Sequence, residues 1–165
     1  MSGGVQERVW QENGPSGLRA VALARTWIGT PYRHQASCSG AGCDCLGLIR
    51  GVWRGLYAIE PELPPAYSMD WSEAQGEERL WQAALRHLAT KPLGQAAPGD
   101  VLLFRMRTGA VAKHLGVQAR TATGSSGEGA SFVHAYSGHG VKESALTSAW
   151  QRRIVARFTF PEELS

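Results

Sequence analysis

Three residues, Cys45, His114 and His134, could together cleave an amide bond. Cys45 stands at the start of a predicted helix, where unpaired N–H groups and the positive end of the helix dipole favour a thiolate. The same N–H groups could bind the oxyanion of a tetrahedral intermediate. Each histidine lies in a short apolar segment that is typical of a strand, so one could accept the thiol proton while the other orients it. A buried cysteine and two core histidines are the alternative interpretation of these residues.

A helix over residues 45–56 would place the cysteine, because apolar residues recur there at helical spacing and Asp44 is a good N-cap. Glycines at positions 47, 51 and 55 form a stripe along it, each costing about 1 kcal/mol relative to alanine, and we expect another backbone to approach there. Helical patterns come first along the chain and strand patterns follow. This order predicts an α+β domain, with N-terminal helices packed on an antiparallel sheet. The other predicted elements are helices over 18–28 and beyond a capping-box pattern at 72–75, and strands over 101–106, 115–119, 132–136 and 154–160.

The composition restricts the classes of function. The chain has 165 residues, of which 43% are hydrophobic and 19% charged, and this is typical of one globular domain. We assign residues 1–17 to an arm and 18–165 to the domain. A net charge of +3, without a basic stripe interleaved with aromatic residues, predicts no nucleic-acid partner. No apolar run approaches the ~20 residues of a membrane-spanning helix, and the first residues lack the apolar core of a secretory signal.

Three cysteines, at positions 38, 43 and 45, are odd in number and close together, which argues against a disulfide framework. With His34 they could form a metal site. Their spacing is not one of the usual zinc patterns, and a loop at the rim of a cleft explains the glycines between them equally well. We therefore predict no metal and no organic cofactor, and interpret Cys38 and Cys43 as spare thiols.

Five motifs resemble, in order and spacing, those of the NlpC-type cell-wall peptidases. They are Gly29–Tyr32, Asp44–Leu48, Pro98–Phe104, His114–Val117 and Phe132–Ala135. Residues 42–48 and the helix after them are most similar to the branch found in tailed phages and gene transfer agents. The resemblance implies a papain-like fold and a cysteine peptidase that hydrolyses amide bonds in peptidoglycan stem peptides. In this family the bond is often the one between γ-D-glutamate and the diamino acid.

The resemblance also implies a role for each site residue. Cys45 corresponds to the nucleophile, His114 to the base that later acts as acid, and His134 to the third polar residue. Tyr32 corresponds to the tyrosine that lines the cleft near the nucleophile. Asp44 corresponds to the aspartate before the nucleophile. The resemblance implies that Tyr32 and Asp44 bind substrate.

Leu46 departs from the family pattern, in which a serine often follows the nucleophile and helps to bind a free N-terminal amine. We therefore expect stem peptides that are still attached to glycan to be accepted. We also expect delivery by a phage-like tail, with tail hub or baseplate proteins as partners and the tail tip of a virion-like particle as location. A cytoplasmic location is the alternative. A non-catalytic tail component that keeps the fold, and papain-like acyl transfer, are the two other functions that the sequence leaves open.

Overall fold

The computed structural model describes residues 15–60, 78–123 and 129–162. The helices of the N-terminal half pack there on one face of a six-stranded antiparallel sheet, so the predicted α+β class is confirmed. The elements are α1 (Pro15–Thr26), β1 (Ser37–Cys38), β2 (Gly42–Cys43), α2 (Cys45–Tyr57), α3 (Arg79–His87), β3 (Ala89–Lys91), β4 (Val101–Phe104), β5 (His114–Arg120), β6 (Ser131–Tyr136), β7 (Gly140–Ala145), α4 (Ser148–Gln151) and β8 (Ile154–Thr159). The order in the large sheet is β3-β8-β4-β5-β6-β7, and β1 pairs with β2.

The large sheet separates two hydrophobic clusters, because successive side chains of a strand point to opposite faces. On β4, Val101 and Leu103 pack in the cluster that contains Leu48 of α2. Phe104 instead packs with Phe132 in the cluster on the other face. Alternate residues along a strand therefore contribute their side chains to different clusters.

The glycine stripe of α2 has two kinds of neighbour. A Cβ atom at Gly47 would lie 1.9 Å from the carbonyl oxygen of Ala36, so loop backbone packs directly on the helix there. At the two later glycines a Cβ atom would meet the ring of Trp27 and the side chain of Leu23, both from α1. The expected approach of another backbone is confirmed at Gly47 and was wrong at the other two positions, where side chains fill the space.

Most predicted elements begin and end within a few residues of the observed ones. Helix α1 begins at Pro15, inside the predicted arm, because the fixed φ of proline suits the first turn of a helix. The remaining residues of that arm, 1–14, and the capping-box pattern at 72–75 lie outside the described residues. Strands β1, β2, β3 and β7 and the four-residue helix α4 were not predicted. Within the described ranges, no helix is both long and apolar enough to cross a bilayer.

Candidate active site

Asp44 fixes the start of α2, where the candidate nucleophile stands. One carboxylate oxygen of Asp44 accepts a 2.8 Å hydrogen bond from the N–H of Gly47, and the other accepts a 2.8 Å bond from the N–H of Gln35. Gln35 has a left-handed φ of 65°, which is uncommon for a residue with a side chain, and this bond stabilises it. The predicted N-cap is confirmed, and the same carboxylate holds the preceding loop against the helix.

The thiol of Cys45 lies against the start of β5. It donates to the carbonyl oxygen of Lys113, which is 3.7 Å from Sγ. The backbone N–H groups of Leu115 and Leu46 hydrogen-bond to the sulfur. Because Lys113 and Leu115 are the two neighbours of His114, the sulfur lies beside the backbone of the candidate base. The start of the helix and the start of the strand therefore meet at this point.

The two histidines form a hydrogen-bonded pair across neighbouring strands. Nε2 of His114 lies 2.8 Å from Nδ1 of His134, and Nε2 of His134 lies 2.9 Å from Oγ of Ser144. The two histidines are only 7% and 1% exposed, respectively. These contacts involve three of the four ring nitrogens, and the fourth is Nδ1 of His114.

Aromatic rings surround the histidine pair within the second hydrophobic cluster. The centroid of the Trp150 ring lies 5.7 Å from that of His114 and 5.2 Å from that of His134. Phe104 lies 5.5 Å from His114, and Phe132 lies 4.1 Å from His134. These rings keep water from the imidazoles, so a charge on either histidine would be poorly solvated.

Burial keeps both the candidate nucleophile and the candidate base uncharged. Desolvation raises the pKa of the Cys45 thiol to about 12, and the negative charge of Asp44 is the next cause. Desolvation, followed by repulsion from His134, lowers the pKa of His114 to about 3. Desolvation, followed by the charges of Lys142 and His139, lowers the pKa of His134 to about 4. The helix start alone favoured a thiolate, but burial and the carboxylate outweigh it. At rest the site therefore holds a neutral thiol and neutral imidazoles.

Tyr32 joins the site from the loop that follows α1. Its backbone forms an isolated parallel bridge with Cys43, and its side chain is half-buried. Desolvation raises the pKa of Tyr32 to about 12, and the next causes are repulsion from a thiolate on Cys45 and from the carboxylate of Asp44. The phenol therefore lies within electrostatic range of the thiol and the carboxylate. The structure thus gathers Tyr32, Asp44 and Cys45 on one side of the site, with the histidine pair on the other.

The residues considered as a metal site are not arranged as one. Cys38 is exposed, whereas Cys43 is fully buried. In the part of the chain that the structure describes, no group of three or more histidine, cysteine, aspartate or glutamate side chains could hold a metal ion.

Two further residues shape the site without having been predicted to do so. Ser144 contacts His134 from β7, and Trp150 covers the histidine pair from α4. The segment 140–145 contains adjacent Lys142 and Glu143 and lacks the regular apolar alternation that indicates a strand. A signal for Ser144 therefore becomes visible only when the strands are paired.

Comparisons with known proteins agree with the family and the fold. The sequence profile of the NlpC/P60 family matches residues 29–159. A comparison with curated proteins found no match. Among solved structures, the chain is similar to the NlpC/p60 domain of the peptidoglycan hydrolase SagA, with 22% identity and a TM-score of 0.56. That likeness covers 87% of this chain and 98% of the SagA domain.

Two longer proteins of known structure are also similar to this chain. An NLP/P60 family protein from Staphylococcus aureus, described as similar to a lipoprotein, has 17% identity and a TM-score of 0.60. An NlpC/P60 family protein from Bacillus cereus has 17% identity and a TM-score of 0.59. The likenesses cover 92% and 88% of this chain but only 43% and 40% of those proteins. At this level of identity the likenesses show a shared fold, so the expected NlpC-type, papain-like fold is confirmed.

Proposed function

This chain belongs to the NlpC/P60 family, and we propose that it is a cysteine endopeptidase that cleaves amide bonds in peptidoglycan stem peptides. One observation carries the proposal: the thiol at the start of α2 lies against the backbone on both sides of His114, whose Nε2 is within hydrogen-bond distance of His134. Thiol-dependent amide hydrolysis needs such a nucleophile, base and orienting group. The similar SagA domain comes from a peptidoglycan hydrolase, which supports this substrate class.

The reaction starts from the neutral thiol. Nδ1 of His114 accepts the proton of Cys45 while the sulfur attacks the carbonyl carbon, so charge separates only as the new bond forms. Backbone N–H groups at the helix start stabilise the oxyanion, and the loss of one such donor in comparable sites costs about 10²–10³ in rate. His114 then donates the proton to the leaving amine, and the C–N bond breaks to give a thioester on Cys45.

A water molecule completes the cycle. His114 removes a proton from the water, whose oxygen attacks the thioester carbonyl. The C–S bond breaks, the sulfur recovers its proton from the imidazole, and the carboxylic acid leaves. The protein returns to the neutral thiol and the neutral imidazole from which it started.

The remaining predicted residues are proposed to position the reactants. His134 orients the ring of His114 through the 2.8 Å contact between them. Tyr32 lines the cleft beside the thiol. Asp44 is only 3% exposed, so it acts first through the helix start that it caps. A role of Asp44 in substrate binding is proposed on the resemblance of the motif Asp44–Leu48.

We assign the cleaved bond to the linkage between γ-D-glutamate and the diamino acid, on the resemblance of the five motifs. Leu46 offers no hydroxyl group to a free N-terminal amine, which supports the acceptance of stem peptides that are still attached to glycan. The test compares cleavage rates on free stem peptide and on the same peptide linked to glycan. Similar rates support this assignment, and cleavage of the free peptide alone would refute it.

We propose delivery by a phage-like tail, with hub or baseplate proteins as partners. Support comes from residues 42–48 and the helix after them, which resemble the branch found in tailed phages and gene transfer agents. The test is mass spectrometry of fractionated particles from the producing cells. A fixed ratio of this chain to tail proteins supports delivery by the particle, whereas its presence only in the soluble cell fraction supports the cytoplasmic alternative.

Mass spectrometry of digested peptidoglycan tests the proposed activity. Purified diamino-acid-type peptidoglycan is treated with the wild type, with Cys45→Ala, and with Cys38→Ala as a matched control at an exposed thiol. We expect the wild type and the control to release new stem-peptide fragments, and Cys45→Ala to release none. Fragment masses identify the bond. Release by Cys45→Ala would mean that another group is the nucleophile, and no release by any variant would favour a non-catalytic tail component.

A further inference from the structure

We infer that Ser144 is a positioning residue: its hydroxyl oxygen accepts a hydrogen bond from Nε2 of His134 and thereby fixes the tautomers of both histidines. The consequence for catalysis rests on the proposed function. The tautomers themselves can be observed in the free protein, without a substrate.

The register of β6 and β7 places the serine where this bond can form. His134 pairs with Lys142 and Phe132 pairs with Ser144, so Ser144 lies diagonally across from His134 on the same face of the sheet. Oγ of Ser144 is 2.9 Å from Nε2 of His134. The serine is only half-buried, so its own proton can be donated to solvent.

The tautomers follow from the chemistry that His114 must perform. To take a proton from the thiol, Nδ1 of His114 must be unprotonated, so its Nε2 carries the hydrogen. That hydrogen can be donated only if Nδ1 of His134, at 2.8 Å, is an acceptor. His134 then carries its hydrogen on Nε2, and this N–H needs an acceptor in turn. Ser144 is the group at that position.

Among the described residues, the hydrogen-bond partner that the structure gives Nε2 of His134 is the Ser144 hydroxyl. The ammonium group of Lys142 has no acceptor atom, and the other neighbours contact His134 through the packing of their rings. Those neighbours are His114 on β5, Phe132 and Tyr136 on β6, and Trp150 on α4, while His139 acts on His134 through its charge from the turn after β6. Among the described residues, Ser144 is therefore the acceptor that can hold the productive tautomer.

Removal of the hydroxyl should let the opposite arrangement compete. In Ser144→Ala, His134 can carry its hydrogen on Nδ1 and donate it to Nε2 of His114. The hydrogen of His114 then moves to Nδ1, where it blocks proton transfer from the thiol. We expect about a tenfold loss of kcat, which is the size that one neutral hydrogen bond supplies. Ser144→Thr keeps an acceptor oxygen on the strand and should restore most of the activity.

Nitrogen NMR of the imidazoles provides the decisive measurement. Protein labelled with ¹⁵N-histidine distinguishes protonated from unprotonated ring nitrogens. We expect Nε2–H on both His114 and His134 in the wild type and in Ser144→Thr, and a mixture of tautomers in Ser144→Ala. Ser131→Ala is the matched control, because the Ser131 hydroxyl bonds to Glu143 in the same pair of strands and touches neither histidine. It should keep the wild-type tautomers.

The outcomes separate this inference from the proposed function. Nδ1–H on His134 in the wild type, or unchanged tautomers in Ser144→Ala, would overturn the role of Ser144 whatever the protein does to peptidoglycan. If the tautomers shift as expected but the wild type cleaves nothing, the structural role of Ser144 stands and the proposed function falls. A matching loss of kcat in Ser131→Ala would also count against the inference, since general destabilisation would then explain the effect.

Discussion

The two sides of the site are held together in different ways. On the thiol side, Asp44 binds the backbone of Gln35 and Gly47, both in the same segment of chain. On the histidine side, β5, β6 and β7 are linked through side chains: His114 contacts His134, and His134 contacts Ser144. The loop and the helix start that carry the thiol are therefore fixed by contacts within one short segment, while the sulfur itself contacts the backbone at the start of β5. The histidine side exists only when the sheet has assembled.

The two sides also remain neutral for different reasons. Next to the thiol, the charge of Asp44 adds to the effect of burial. Around the histidines, burial among rings is the largest cause, and the charges of Lys142 and His139 lower the pKa of His134 further. A substitution at Asp44 should therefore change the thiol and leave the imidazoles unchanged, whereas a change in the packing of the sheet should do the reverse.

Loss of the base should have the largest effect of any change on the histidine side. His114→Ala removes the group that takes the thiol proton, and we expect activity on peptidoglycan to fall by about 10²–10⁴. His87→Ala, at the end of α3, removes a histidine outside the site and is the control. Fragment release measured by mass spectrometry gives both rates. A His114→Ala protein that keeps wild-type activity would show that the pair has a structural role only.

The acid stability of the protein should also depend on the histidine side. In the folded state the pKa values of His114 and His134 are lowered to about 3 and about 4. In the unfolded state both bind protons near pH 6.5, so acid favours unfolding. Stability should be constant above that pH and fall as the pH drops below it, by about 1.4 kcal/mol per pH unit for each histidine that stays neutral.

Urea unfolding measures this loss between about pH 7 and pH 5. His134→Asn removes one of the two groups, so its free energy of unfolding should fall less steeply with acid than that of the wild type. Ser137→Ala removes an exposed side chain that does not titrate and should keep the wild-type slope. Identical slopes in all three proteins would mean that the imidazoles are not kept neutral by folding.

The difference between the two sides also explains how much the sequence could predict. Helix α2, its cap Asp44 and the nucleophile at its start follow from local signals, because the residues that interact are neighbours in the chain. The two histidines were placed on adjacent strands from their apolar surroundings, and β5 and β6 do pair. These parts of the site needed no knowledge of how distant segments meet.

The roles of Ser144 and Trp150 could be predicted only with knowledge of how distant segments meet. Strand β7 is held by its pairing with β6 over its whole length, from Ser131 opposite Ala145 to Tyr136 opposite Gly140, rather than by its own composition. Trp150 stands on a helix of four residues, too short for a periodic signal. The neutral state of the site escaped prediction for the same reason, since burial depends on the assembled fold.

Alkylation of the thiol distinguishes a neutral resting site from a preformed ion pair. With the pKa of Cys45 raised to about 12, the thiolate fraction should rise about tenfold per pH unit across neutral pH. The iodoacetamide reaction rate at Cys45 should follow it, as measured by mass spectrometry of the labelled peptide. Cys38, which is exposed, serves as the internal control and should react faster. A rate at Cys45 that stays constant from mildly acidic to neutral pH would indicate a thiolate–imidazolium pair instead.

The smallest expected effect is at Asp44, and it tests whether the two sides are separable. Asp44→Ala removes both backbone bonds and should lower the free energy of unfolding by about 1–2 kcal/mol, the usual range for a lost N-cap. Removing the carboxylate charge should also lower the pKa of Cys45, because that charge is one of the causes that raise it. The pH dependence of alkylation measures this shift.

Thr147→Ala is the matched change on the other side, since Thr147 caps α4 by accepting from the N–H of Trp150. It also removes an N-cap, but from the helix that covers the histidines, so the alkylation profile of Cys45 should stay as in the wild type. The ¹⁵N signals of His114 and His134 should change in Thr147→Ala and stay unchanged in Asp44→Ala. If either variant changed the alkylation profile of Cys45 and the ¹⁵N signals of the histidines to the same extent, the two sides would not be separable. The local segment at the thiol and the assembled sheet at the histidines would then behave as one coupled unit.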